Sequence, residues 1–272
     1  MTDTNHSKHL GAGAGWDWFA TAVKAVRLNA ARLFLLVFFY SAVMGILMLV
    51  PMVGMVFAAL FMPFGTILIG HSVRDVLRGK DPGLGLIGKA WADPFARIQL
   101  IYTGLFYGFI LITAQAAYGI LSEPYVELWQ VTSENRLVWS SVFANFPWMP
   151  LAVTLLIYIP GLMATWFSPM LCVDKHMRWG KALFYSFFGC LRNIFAILVL
   201  GILLAVSITA IFYCSGELIR LLGLKSVDMY IYFPLSCLVL TVVYATYWPM
   251  YDALFGGTQS DKPEPNYNTL NL

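Results

Sequence analysis

Residues 33–73 carry no Asp, Glu, Lys or Arg, and this 41-residue run constrains the fold more than any motif in the chain. Read as one helix it would extend about 60 Å, roughly two hydrocarbon cores of about 30 Å laid end to end. The step Val50-Pro51-Met52-Val53-Gly54 offers a place to turn. The run therefore reads as a hairpin of two membrane spans, 33–50 and 52–73. Four more uncharged apolar segments of spanning length follow, at 98–121, 149–173, 194–216 and 229–251. A mean hydropathy of +0.73 and a charged fraction of 11%, where soluble proteins carry about 25%, agree that water is not the main solvent. The expected fold class is all-α and polytopic, with six transmembrane helices.

The distribution of Lys and Arg sets the orientation. Fourteen of the 17 precede span one, lie between spans two and three or four and five, or follow span six; only Arg136, Arg220 and Lys225 fall on the other side. Both termini are thus expected in the cytoplasm. The net charge of +3 is a topology signal and not a patch for nucleic acid. Lys8, Asp17, Lys24, Arg27 and Asn29 break up the first 30 residues, so span one is expected to serve as an uncleaved signal anchor. Of the four cysteines, Cys172 and Cys190 belong to the reducing side, while Cys214 and Cys237 lie near the outer half, where a disulfide is open to them in principle but burial as unpaired small hydrophobes is the simpler expectation.

A repeat runs through the spans. Phe61-Met62-Pro63, Phe167-Ser168-Pro169 and Tyr247-Trp248-Pro249 place an aromatic-flanked proline toward the cytoplasmic end of each even span. Each odd span follows a cytoplasmic segment ending in Arg27-Leu28-Asn29, Pro94-Phe95-Ala96-Arg97 or Leu191-Arg192-Asn193. Two of these segments are amphipathic at helical spacing: Trp16, Phe19, Val23 and Val26 share one face, and Trp179, Leu183, Phe187 and Leu191 another, with Ser186 on the polar side. Three parallel units are expected, each a surface helix followed by a two-span hairpin. On the outer side, Val138, Trp139, Val142, Phe143 and Phe146 predict a surface helix after Ser133, with Ser133 as its cap and Trp129, Trp139 and Trp148 in the interfacial belt.

Few motifs carry chemistry. Gly83-Leu84-Gly85-Leu86-Ile87-Gly88-Lys89-Ala90 imitates a phosphate loop, but Ala90 stands where the Mg²⁺-binding hydroxyl belongs and no strand precedes it. The histidines at 6, 9, 71 and 176 have no metal spacing, and no nucleophile elbow occurs. No cofactor is expected. Gln99 and Gln115 are the candidate polar groups inside the membrane, where interhelical hydrogen bonding explains them most simply. Pro63, Pro169 and Pro249 are the candidate kink or cavity residues, because each frees the carbonyl four positions before it, at Ala59, Thr165 and Ala245. Catalysis would call for a convergence such as Asp17, His71, Asp75 and Asp252 at the inner interface. Gly104 and Gly108 form a small-residue step suited to close helix packing within the bundle.

Gly15-Trp16-Asp17-Trp18, the segment ALFYSFFGCLRN at 182–193 and the ending Tyr251-Asp252-Ala253-Leu254-Phe255-Gly256 resemble an uncharacterised family of proteobacterial six-span inner-membrane proteins. The resemblance covers roughly residues 15–256. More distantly the chain looks like the membrane domain found beside some glycerophosphodiester phosphodiesterases, whose catalytic domain has no counterpart here. The resemblance implies a multi-pass inner-membrane location and no particular activity. The expectation is then a disordered stretch at 1–14, one membrane domain at 15–256 and a disordered tail at 257–272. A non-catalytic role is expected, organising the lipid bilayer or other membrane proteins. The alternatives are a facilitative transporter using a proline-kinked cavity and an enzyme of lipid or envelope metabolism.

Overall fold

The computed structural model describes residues 8–256 apart from 52, 84, 135 and 224–227, with backbone alone at 86, 87, 89, 228 and 229. The first seven residues and the tail at 257–272 lie outside the described residues. Twelve helices follow in order among the described residues: α1 (Ala14–Leu28), α2 (Ala30–Met48), α3 (Gly54–Leu77), α4 (Gly85–Ala92), α5 (Pro94–Val126), α6 (Trp139–Ala144), α7 (Trp148–Trp166), α8 (Ser168–Asp174), α9 (Trp179–Arg192), α10 (Ile194–Leu221), α11 (Asp228–Ala245) and α12 (Tyr247–Phe255). Six stretches are long and apolar enough to cross a membrane: α2, α3, α5, α7 with α8, α10, and α11 with α12.

Short polar residues mark where surface helices hand over to spans. Asn29 separates α1 from α2 and Asn193 separates α9 from α10, both with non-helical dihedrals. Asp93 separates α4 from α5, and its carboxylate accepts from Phe95 N at 2.9 Å, capping α5. Asn193 does most. Its Oδ1 accepts from Leu10 N at 2.8 Å, and its Nδ2 donates to Lys8 O and Gly189 O, each at 2.9 Å. Residues 8–13, assigned from sequence to the disordered leader, are thereby held against the bundle, and Lys8 N also donates to Leu254 O.

The prolines act unequally. Phe167 interrupts α7 and α8 two residues before Pro169, and Thr246 interrupts α11 and α12 three before Pro249, whereas Pro63 sits inside the unbroken α3. A ring that clashes with the preceding turn ends a helix only where the freed groups find other partners. At the Phe167 break, the partner is Ser186 on α9. Its Oγ accepts from Phe167 N at 2.9 Å and donates to Met163 O at 2.7 Å. Although spacing puts Ser186 on the polar side of α9, it is fully buried. Replacing it with alanine orphans the Phe167 N–H and is expected to cost about 1–3 kcal/mol in a detergent unfolding titration, whereas Ser186→Thr retains the acceptor.

The core gathers at the end that carries α1, α4, α9 and most of the basic residues. Phe167, Met170, Leu171, Tyr251 and Leu254 are essentially inaccessible there, with Ile67 and Leu100 beside them. α1 buries Gly15, Trp18, Ala22, Ala25 and Val26 and packs on α10 and α11, while Trp16 of its expected apolar face is exposed. Small residues let α10 approach, and a helix wedged between bilayer and protein needs two apolar faces. α4 packs on α3 and α9 on α7 and α8.

At the other end, the expected helix from Ser133 shrinks to α6, which starts at Trp139 without a side-chain cap. Residues 130–132 instead pair with 136–138 through the Val131–Leu137 bridge and the bonds Thr132 N to Arg136 O and Val138 N to Gln130 O. α2 pairs closely with α3 and α5 with α7, but α10 and α11 share little contact. The third pair of spans is therefore open where a closed hairpin was expected. α11 lies against α1 and α2, leaving α10 held chiefly by α1.

Candidate functional site

The open third pair leaves a cavity of about 550 Å³ among the spans, walled by α2, α3, α5, α7, α10, α11 and α12. Its wall is mostly aliphatic and sulfur-bearing, with Met44, Met48, Met62 and Met250 prominent, and methionine adapts to irregular apolar guests. Among the described residues no Asp, Glu, Lys, Arg or His lines it. Aromatic side chains project from four spans: Tyr40 from α2, Tyr107 from α5, Tyr158 and Trp166 from α7, and Tyr244 from α11. Tyr40 and Tyr244 meet edge to face at 5.8 Å between ring centroids. The hydroxyls of Tyr107 and Tyr158 meet, and both Tyr40 and Tyr107 lie within electrostatic range of Tyr244.

Pro63, Pro169 and Pro249 are all buried and none of the three lines the cavity, although Ala59, four residues before Pro63, does. Thr165 O, at the second proline, accepts from Ser168 Oγ at 3.4 Å. Gln99 is buried on α5, where its Oε1 accepts from Trp179 N at 2.9 Å and so satisfies an orphan donor at the start of α9. Gln115 is exposed on α5, 21 residues from Pro94. At about 1.5 Å per residue this puts it some 30 Å along the helix, near the far interface.

A second, polar pocket of about 270 Å³ opens at the basic end and is lined by His71, Arg74, Asp93 and His176. Behind it His71 Nε2 meets Asp174 Oδ1 at 2.9 Å, with side-chain exposures of 9% and 3%. Arg74 pairs with Asp75 at 3.0 Å and stacks over Trp248 at 5.6 Å, while Trp248 stands edge-on to His71. His176, at 3.8 Å from Asp93, occupies a left-handed turn with φ 47°. Next to it, burial holds the Lys175 ammonium below its ordinary pKa, and its Nζ donates to Phe255 O at 2.8 Å. Of the foursome Asp17, His71, Asp75 and Asp252, only His71 lines this pocket; its hydrogen-bond partner, Asp174, comes from α8. Among the described residues no three His, Cys, Asp or Glu side chains gather as metal ligands. All four cysteines are free, including Cys214 and Cys237, and burial pushes the Cys190 thiol up to about 12.

The chain is 25% identical over 262 residues, 94% of its own length and 97% of the relative's, to a probable inner membrane protein of Burkholderia thailandensis. The chain is a multi-pass inner-membrane protein. No protein-family model and no solved structure matches it. Sequence reasoning missed the tyrosines because they come from four separate helices with no shared spacing, and missed Asp174 because it lies 103 residues from His71.

Proposed function

We propose that this chain is a non-catalytic inner-membrane protein that accommodates the apolar body of a lipid between its spans. The cavity carries the reading. Scaffolding alone calls for a filled core, which a space of about 550 Å³ interrupts, within the range of small-ligand sites. A water-filled permease path calls for polar walls, and these walls are apolar. The sparse contact of α10 with its neighbouring spans supplies a side entrance from the bilayer, whose acyl chains are the most abundant apolar guests at that depth.

Gly201 on α10 lines this space, and a Cβ there meets nothing within 4 Å. Gly201→Phe is expected to occupy the cavity, since its Cβ has open space, and to improve the local helix propensity by roughly 0.3–0.5 kcal/mol. Native mass spectrometry of protein released from micelles should then show lipid adducts on the parent chain and their loss, by about tenfold, on the variant at unchanged stability. A parent chain that emerges bare would sink the proposal.

The same reading puts both ends in the cytoplasm and treats the fold as three related units. Support for the units comes from packing: α4 lies on the second span of unit one, α9 on the second span of unit two, and α1 on α11 of unit three. The distant likeness to the membrane domain beside glycerophosphodiester phosphodiesterases stays with this proposal and rests on the sequence features alone. Orientation is tested in a cysteine-free background. A membrane-impermeant maleimide should label Ser140→Cys on intact spheroplasts and Gly180→Cys only on inverted vesicles, and the opposite pattern reverses the topology.

A further inference from the structure

We infer that the guest is a wholly uncharged lipid bearing a carbonyl at mid-membrane depth, recognised by the hydroxyls of Tyr40, Tyr107, Tyr158 and Tyr244; this rests on the lipid-holding reading above. Three observations lead to it. The first is depth. Tyr40 stands ten residues into α2, Tyr107 thirteen into α5, and Tyr158 ten from the opposite end of α7. At 1.5 Å per residue these are offsets of about 15, 20 and 15 Å, near the middle of a hydrocarbon core of about 30 Å. The ester groups of a phospholipid anchored by its headgroup stay near the interface and do not reach that level.

The second is the state of the other polar groups in the wall. Thr66 Oγ1 donates to Met62 O at 3.1 Å, Thr246 Oγ1 to Val243 O at 2.7 Å, and the Tyr247 hydroxyl to Trp166 O, so each is satisfied by backbone. Among the described residues no backbone carbonyl takes the hydroxyl of Tyr40, Tyr107, Tyr158 or Tyr244. Four hydroxyls that meet at most one another form a group with donor capacity to spare, and buried tyrosine hydroxyls normally find an acceptor. A ligand carbonyl supplies one.

The third is charge. With no cationic or anionic side chain in the wall, a phosphate or ammonium drawn to this depth would be desolvated without a partner, at heavy cost. A neutral carbonyl loses far less on leaving water and regains it from one or two phenols. The tyrosines thus select against charge and for an acceptor, while the methionines take the chain.

The test uses the full chain in nanodiscs and three pyrene-labelled probes: an octadecyl hydrocarbon, the same chain with a mid-chain ketone, and a phosphatidylglycerol carrying the label. Binding is read from energy transfer between tryptophan and pyrene. The ketone is expected to bind about tenfold tighter than the hydrocarbon, the worth of one to two net hydrogen bonds. Tyr107→Phe/Tyr158→Phe and Tyr40→Phe/Tyr244→Phe should each erode that preference while leaving hydrocarbon binding intact, which also shows that the variants are folded. Equal binding of ketone and hydrocarbon, or a preference for phosphatidylglycerol, overturns this inference and leaves lipid holding in place. Binding of none of the three overturns both.

Discussion

Gly104→Ala is expected to drive α5 away from α3 and destabilise the bundle by about 1–3 kcal/mol, with Gly104→Leu worse, because a new methyl has nowhere to go. An added Cβ would stand 2.8 Å from Leu60 Cα and 2.9 Å from Ala59 O. Both are backbone atoms of α3, which cannot rotate away as a side chain does. α3 is also fixed on its other faces by α2, α4 and α8. Gly108, one turn on, offers an internal control. Its Cβ would meet only the Ala59 side chain, at 3.3 Å, and a shift of a few tenths of an ångström relieves it. Unfolding by SDS titration in mixed micelles should therefore show a large loss for Gly104→Ala and a small one for Gly108→Ala, with the oligomeric state unchanged in both. If instead the two substitutions cost the same and alter the oligomeric state, the glycine pair serves an interface between copies and not the α3–α5 contact.

The contrast between these glycines shows what the sequence could and could not disclose. Spans are legible because apolar runs of bilayer length are rare for any other reason, and the turn at Val50–Gly54 follows from the length of the run alone. The helix junctions at Asn29, Asp93 and Asn193 are legible as polar steps between apolar segments. Rotation of each span about its axis is not legible, since lipid-facing and core-facing residues are equally apolar and periodicity carries little contrast. That is why the four tyrosines, one per helix, gave no sign of convergence. α1 has two apolar faces, of which the one with Trp16 and Phe19 is legible by spacing and the one with Gly15, Trp18 and Ala22 is seen only in the packing on α10 and α11. Ser186 was hidden for another reason: its role depends on a break in a different helix 19 residues earlier.

The second large effect is expected at His71, whose partner lay equally out of reach of sequence patterning. His71→Ala should cost about 3–5 kcal/mol, since it strands the Asp174 carboxylate in a site where its side chain is only 3% exposed. Beyond His71, Asp174 has the charge of the adjacent Lys175 and the Tyr251 hydroxyl near it. Among the described residues its Oδ2 and the Tyr251 hydroxyl are both buried without a well-formed hydrogen bond, so neither neighbour replaces the 2.9 Å contact to His71. Removing the charge as well should restore much of the loss, because a buried pair replaced by apolar groups is often neutral or better. The double variant His71→Ala/Asp174→Leu is therefore expected to be more stable than His71→Ala alone, with a coupling of about 0.5–3 kcal/mol, the range for groups in contact. SDS-titrated unfolding of the parent, both single variants and the double variant closes the cycle. Additive losses would mean that the 2.9 Å contact contributes nothing of its own and that α3 and α8 are held together by the apolar packing around it. Strong coupling, in contrast, would identify the pair as the polar pin that keeps α8 folded under the bundle. The short helix after the Phe167 break would then owe its place to one carboxylate as much as to Met170 and Leu171.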